Sequence, residues 1–227
     1  MNELIDSHTP PEIVASGSMV KEHHMTQHHT HHASIRSPTT FATITTNTLS
    51  DHLRMLLEAG TLADVTIVVE NRSFTAHRAI LFARSPYFAA MFRNDQSKES
   101  HDARIVLTDI PANVFELLLD FIYTDHIPLA AIDQHAVELF NAADKYQLDS
   151  LRARCEARLC SMLTVENVCD TLLLAELHSA LPLKTQCIEF IVANAAAVIT
   201  TSGWTRMTDC RPDIAVQLFR CVALKNV

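Results

Sequence analysis

The chain has 227 residues, 48% of them hydrophobic and 19% charged, which is enough apolar material for a substantial core in one large or two small domains. Its formal net charge of −8, from 18 Lys and Arg against 26 Asp and Glu, argues against a phosphate-binding surface and so against nucleic acid as the main partner. No apolar run approaches the length needed to cross a bilayer, so a soluble chain without membrane contact is expected.

Residues 1–47 are rich in Ser, Thr and His and show no useful helical or strand periodicity, which predicts a disordered tail. Imidazoles in its run from His23 to His32 could converge weakly on Zn²⁺, Ni²⁺ or Cu²⁺. No carboxylate or cysteine fixes such a geometry, so the expected reading is a solvated tract and no metal site is assigned.

From Leu49 to Leu57 the residues Leu49, Leu53, Leu56 and Leu57 make an apolar stripe on a short helix, with Thr48 before it and Gly60 as its stop. Two turns of helix are marginal alone, so this one must pack on something. The β-branched run Asp64 to Val69 reads as a strand, Asn71-Arg72 as a tight turn, and Ser73 to Ala76 as the returning strand of a hairpin. Ile80, Leu81 and Ala83 then switch to helical spacing. Ser85 is a plausible N-cap with Pro86 at the first helical position, followed by Tyr87, Phe88, Met91 and Phe92 on a second short helix.

Ile105 to Leu107 reads as a third strand. Beyond it the pattern is helical: a helix opened at Pro111, with Asp109 as a possible cap, carries Phe115, Leu118, Leu119 and Ile122 inward and ends at Tyr123-Thr124-Asp125. Asp133 is expected to start the next, with Ala136, Val137, Leu139, Phe140 and Ala143 as core candidates, and Asp149-Ser150 to cap another running towards Met162. Thr164 to Asn167 starts a helix bearing Leu172, Leu173 and Leu177, and Lys184 to Val198 and Pro212 to Leu224 are the last two. The predicted class is α+β, a small sheet flanked by helices followed by an all-helical extension.

A convergent catalytic site is not visible. His77 with Asp64 could be a base and its orienter, but Ser85, the nearest nucleophile, is explained by its cap position. Three glycines leave no phosphate-cradling loop, and no GxSxG or HExxH is present, so neither catalysis nor a cofactor is expected. The six cysteines, Cys155, Cys160, Cys169, Cys187, Cys210 and Cys221, lie in the helical half without a CxxC pair. They read as buried or partly buried thiols of a reducing compartment, not zinc ligands.

The stretch FTAHRAILFARSPYFAAMF, residues 74–92, joins a hairpin to two short helices through His77 and Arg78, and in that order resembles the BTB (POZ) domain. FIYT at 121–124 and FNAADKY at 140–146 continue the likeness. LRARCEARLCSMLTVENV and LLLAELHSALPLKTQCIEFI look like the three-box and the start of the BACK region, and TSGW at 201–204 is similar to the speckle-type POZ (MATH-BTB) relatives. About four fifths of the chain takes part. The resemblance implies a tail at 1–47, a BTB/POZ domain at 48–147, and three-box with partial BACK helices at 148–227, without the MATH domain of those relatives.

It also implies partners. The Leu49, Leu53, Leu56, Leu57 helix would pack across a two-fold axis, with Asp64 and Arg78 in a partly buried pocket near that dimer interface; packing on its own domain is the alternative. A hydrophobic-x-Glu motif would help to dock cullin-3. Here Glu99 supplies the acid but Ser97 stands where the apolar residue is expected, while Tyr123, Thr124 and Asp125 and the three-box around Leu163 to Val168 complete the cullin-facing surface. Phe219 stands at the place of an aromatic in a second, BACK-mediated dimer contact, or is a core residue. The implied function is a homo-oligomerising, non-catalytic adaptor of a cullin-3 ubiquitin ligase. The other reading is an interaction scaffold, or a modulator of longer MATH-BTB relatives, without its own cullin binding. Nucleus and cytoplasm are both open as its location.

Overall fold

The computed structural model describes residues 48–93 and 103–225, in which a three-stranded sheet is enclosed by helices that continue into an all-helical second half. The expected α+β class is the observed one.

Helix α1 (Leu49–Ala59) opens with a reciprocal cap. Thr48 Oγ1 accepts from the Asp51 N–H at 3.2 Å and Asp51 accepts from the Thr48 N–H at 2.7 Å, holding that carboxyl below its ordinary range. Gly60 closes the helix at φ 62, and a side chain there would crowd Thr75 of the next hairpin.

Strands β1 (Val65–Val69) and β2 (Arg72–Ala76) pair antiparallel, and β3 (Arg104–Leu107) joins β1 in parallel, giving the order β2-β1-β3. Val65, Ile67 and Val69 alternate into the core, and so do Ile105 and Leu107. Because Val69 faces Arg72, the hairpin loop is Glu70-Asn71, one residue earlier than the sequence suggests. Glu70 sits at φ 53, where its carboxylate accepts from the Ala112 N–H at 3.3 Å. The turn thus satisfies an open donor at the start of the helix that follows β3.

Helices α2 (Arg78–Arg84) and α3 (Pro86–Arg93) carry the chain from β2 towards β3. Ser85 between them acts as expected: its Oγ accepts from the Phe88 N–H at 3.4 Å, and its hydroxyl also donates to the Tyr146 carbonyl at 2.7 Å. The pair α2 and α3 is therefore tied to the far end of the domain.

Helix α4 (Ala112–Thr124) packs against α1, α2 and α5 (Leu129–Lys145), and α5 packs closely on α6 (Asp149–Ser161). Three expected caps are corrected here. Pro111, not Asp109, precedes α4, and Asp109 pairs with Lys145 instead. Helix α5 starts after Pro128, four residues before Asp133, and its backbone leaves helical geometry at His135, so Asp133 lies just ahead of a kink. Leu148 precedes α6 without a side-chain bond, so Asp149-Ser150 falls inside the helix.

In the second half, α7 (Val168–Leu177) follows a reciprocal pair: the Thr164 N–H donates to Asn167 Oδ1 at 2.8 Å and the Asn167 N–H to Thr164 Oγ1 at 3.3 Å. The segment expected as one helix to Val198 is divided at Asn194 into α8 (Leu181–Ala193) and the short α9 (Ala195–Val198). Helix α10 (Ser202–Cys210) is capped by Thr201, whose Oγ1 accepts from the Trp204 N–H at 3.1 Å, and α11 (Pro212–Lys225) packs on α8 and α10. Buried side chains form one continuous core from Val65 to Leu218, with Phe88, Phe115, Phe121, Phe140 and Tyr146 among its largest members.

Candidate functional site

The candidate residues fall on five places in this frame: the end of the hairpin, the end of α4, the outer face of α1, the seam between α5, α6 and α7, and a patch on α11.

At the hairpin end, His77 leaves β2 and is buried. Tyr123 of α4 reaches it: the His77 N–H donates to the Tyr123 hydroxyl at 2.8 Å, and that hydroxyl lies 2.7 Å from Nδ1. Since His77 Nε2 is 2.7 Å from the Thr61 carbonyl, which can only accept, the network assigns the proton to Nε2 and makes Nδ1 the acceptor of the tyrosine proton. Burial pushes the Tyr123 phenol up to about 12. His77 is thus fully engaged in structure. Asp64 accepts from the Arg78 backbone N–H at 2.7 Å, near the start of α2, while the Arg78 guanidinium lies over the Phe92 ring. In the single chain Asp64 is exposed and Arg78 half-buried, and the contact between them is a helix-start hydrogen bond.

The expected cullin-facing residues separate sharply. Tyr123 and Thr124 are buried, Thr124 with its hydroxyl on the Asp120 carbonyl at 2.7 Å, so these two side chains support the helix end and do not form its surface. Asp125 alone of the three is exposed. It ends α4 at φ 55 and pairs with Arg84 at 2.7 Å and Arg154 at 3.2 Å. The helix reading missed the inward turn because the last turn of α4, Phe121 to Thr124, is buried on every face although the helix carries Glu116 and Asp120 further up. Ser97 and Glu99 lie outside the described residues.

Helix α1 divides its leucines. Leu53 and Leu57 pack on their own domain, Leu56 is half-buried, and Leu49 is 74% exposed. Met55, which the stripe did not include, is also exposed, so Leu49 and Met55 present the apolar surface available to a second molecule.

At the seam, α5 and the later helices are held by charge. Asp144 at the end of α5 meets Arg152 of α6 at 2.9 Å, without hydrogen-bond alignment, and its other oxygen is 2.8 Å from His178 Nδ1 beyond α7. Arg152 in turn donates to the His178 carbonyl at 3.0 Å and lies over Phe140. One turn along α6 from Arg154, Arg158 pairs with Asp133. Next to this pair opens a groove of about 530 Å³, with a mainly apolar lining that includes Ala136, Val137, Leu159, Met162, Leu173, Leu174 and Leu177. The sequence held a signal for it. Leu172, Leu173 and Leu174 are consecutive and point about 100° apart, so they cannot all enter one core. Leu172 is buried, its neighbours are half-buried in the groove wall, and Leu177 is 76% exposed at the rim.

On the last helix Phe219 is 74% exposed, which removes the core alternative. With Ile191, Ala195, Ile199, Trp204, Ala215 and Leu218 it lines a second apolar hollow of about 290 Å³. Among the described residues no group of three His, Cys, Asp or Glu side chains is placed to hold a metal, and no helix is long and apolar enough to cross a membrane.

Residues 53–163 match the BTB/POZ domain family, and residues 167–219 match the BPM/SPOP BACK domain. This is a BTB-BACK chain. The BTB match runs through α6, so the groove lies where that match meets the BACK match. The chain is 37% identical over 180 residues to the mouse TD and POZ domain-containing protein 4, covering 79% of this chain and 48% of the relative. It therefore spans about half the length of that curated relative. A solved structure, the BTB domain of zebrafish PATZ1, is 29% identical, covers 48% of this chain and 86% of the other, and superposes with a TM-score of 0.42.

Proposed function

We propose that this BTB-BACK chain is a non-catalytic, self-associating adaptor of a cullin-3 ubiquitin ligase, in the nucleus or cytoplasm. The observation that carries the reading is the apolar groove at the seam of the two domains, beside a charged face formed by Asp125, Arg154, Arg158 and Asp133. A groove of this kind suits an apolar segment of a partner, with the charged face setting its orientation. Self-association is assigned to Leu49 and Met55 on α1, and to Phe219 on α11 as a second contact. The His77 and Tyr123 network has a complete structural role, and no nucleophile stands beside a free base in it, which supports a role without chemistry.

Calorimetry against a cullin-3 N-terminal fragment tests the reading. Binding is expected, weakened at least about tenfold by Leu177→Asp at the groove rim. A wild-type chain that does not bind overturns it and leaves the second reading, a scaffold or a modulator of longer MATH-BTB relatives. Ser97 is the specific observation in favour of that second reading, because it replaces an expected apolar anchor.

A further inference from the structure

Two contacts between α6 and α8 climb together. Arg152 reaches the His178 carbonyl just ahead of α8, and one turn later Glu156 Oε1 accepts from the Leu183 N–H at 3.1 Å. The two helices therefore run in the same direction along this contact, and the next turn on each carries a cysteine, Cys160 on α6 and Cys187 on α8. The Cys187 thiol lies within electrostatic reach of Cys160 and of Cys169 on α7. All three are free thiols. Cys169 and Cys187 are buried, while Cys160 is half-buried and is the one that solvent reaches. Burial, more than the neighbouring thiols, pushes Cys187 up to about 12, and burial likewise raises Cys160.

We propose that Cys160 and Cys187 form a redox modification site, in which Cys160 reacts with a low-molecular-weight disulfide such as oxidised glutathione and Cys187 resolves the adduct into a disulfide joining α6 to α8. The Cys160 thiolate attacks one sulfur of the small disulfide, the S–S bond breaks, and one glutathione leaves as a thiolate. The Cys187 thiolate then attacks the Cys160 sulfur and expels the second glutathione. The two protein thiols lose two electrons and two protons, and the small disulfide is reduced to two thiols. Protonated, shielded thiols make the exchange slow, so the site responds to sustained oxidation instead of ordinary cytosolic poise.

The test exposes the full chain to oxidised glutathione, alkylates the remaining thiols, and maps the peptides by mass spectrometry. The expected product joins Cys160 to Cys187. Cys187→Ala should stop at a lasting glutathione adduct on Cys160, and Cys160→Ser should leave Cys187 alkylatable as a free thiol. The exposed Cys210 serves as the internal measure of oxidant strength. A Cys160 that stays free when Cys210 is fully capped overturns the proposal, as does a persistent wild-type adduct on Cys160 or a bridge from Cys160 to Cys169.

Discussion

Tyr123 in the last turn of α4 and Tyr146 just after α5 are both buried phenols, and burial raises both, yet their hydroxyls have opposite standing. That of Tyr123 accepts from the His77 N–H and donates to its ring, whereas that of Tyr146 has no partner among the described residues. Tyr123→Phe should strand a buried donor and a buried acceptor and lower stability by about 2 kcal/mol. Tyr146→Phe keeps the ring contacts with Tyr87 and Phe88, removes an unpaired hydroxyl, and should raise stability by about 1 kcal/mol. Urea titration of the two variants measures both, and equal losses would refute the distinction. The partner of Tyr123 could not be read from the chain: His77 and Tyr123 are 46 residues apart, and only the closing of α4 over the hairpin brings them together.

At the scale of elements, α1 depends on what it rests upon. It packs on α4 with Leu53 and Leu57 partly buried against the core, and Asp120 of α4 lies half-buried near Arg54 and Glu58 of α1. Burial raises the Asp120 carboxyl, Arg54 pulls it back, and Glu116 and Glu58 push it further up. A folded-state value above the unfolded one means that the folded chain holds this proton more tightly. The stabilisation is then present at low pH and is lost as pH rises through the raised value. From about pH 4 towards pH 7, wild type should lose ground to Asp120→Asn in thermal midpoint; parallel pH profiles would contradict this. The sequence showed α1 through its stripe between Thr48 and Gly60, and the hairpin through its β-branched run. It misplaced the starts of α5 and α6 because Pro128 and Leu148 begin those helices without a side-chain bond, leaving no capping residue to read.

For the molecule as a whole, the two apolar faces at α1 and α11 set an expectation about assembly. Two different two-fold contacts on one chain generate open chains of subunits, while either contact alone closes a dimer. Light scattering should therefore give masses above a dimer for wild type, a dimer for Leu49→Glu or Phe219→Glu singly, and the 25.3 kDa monomer for the pair. A wild-type monomer would end the self-association reading. Of the candidate surfaces, the family resemblance pointed to two single exposed residues, Asp125 at the end of α4 and Phe219 midway along α11. For the groove, the three consecutive leucines of α7 signal only that one face stays out of the core; its shape is not legible, because its walls come from three helices and its floor from residues that also serve the core, as Leu159 and Ala136 do.

The single core that runs from the sheet to α11 bears on how such chains could be recombined. Asp144 holds Arg152 and His178 together, one from each side of the boundary between the two family matches, and Leu151 and Leu172 belong to the same buried cluster. The BACK segment is consequently not a cassette. A chimera that exchanged residues 167–219 for those of another protein would keep its footing only if the incoming helices also supplied an imidazole for Asp144 and apolar side chains of matching volume beside α6, so the two halves must change together.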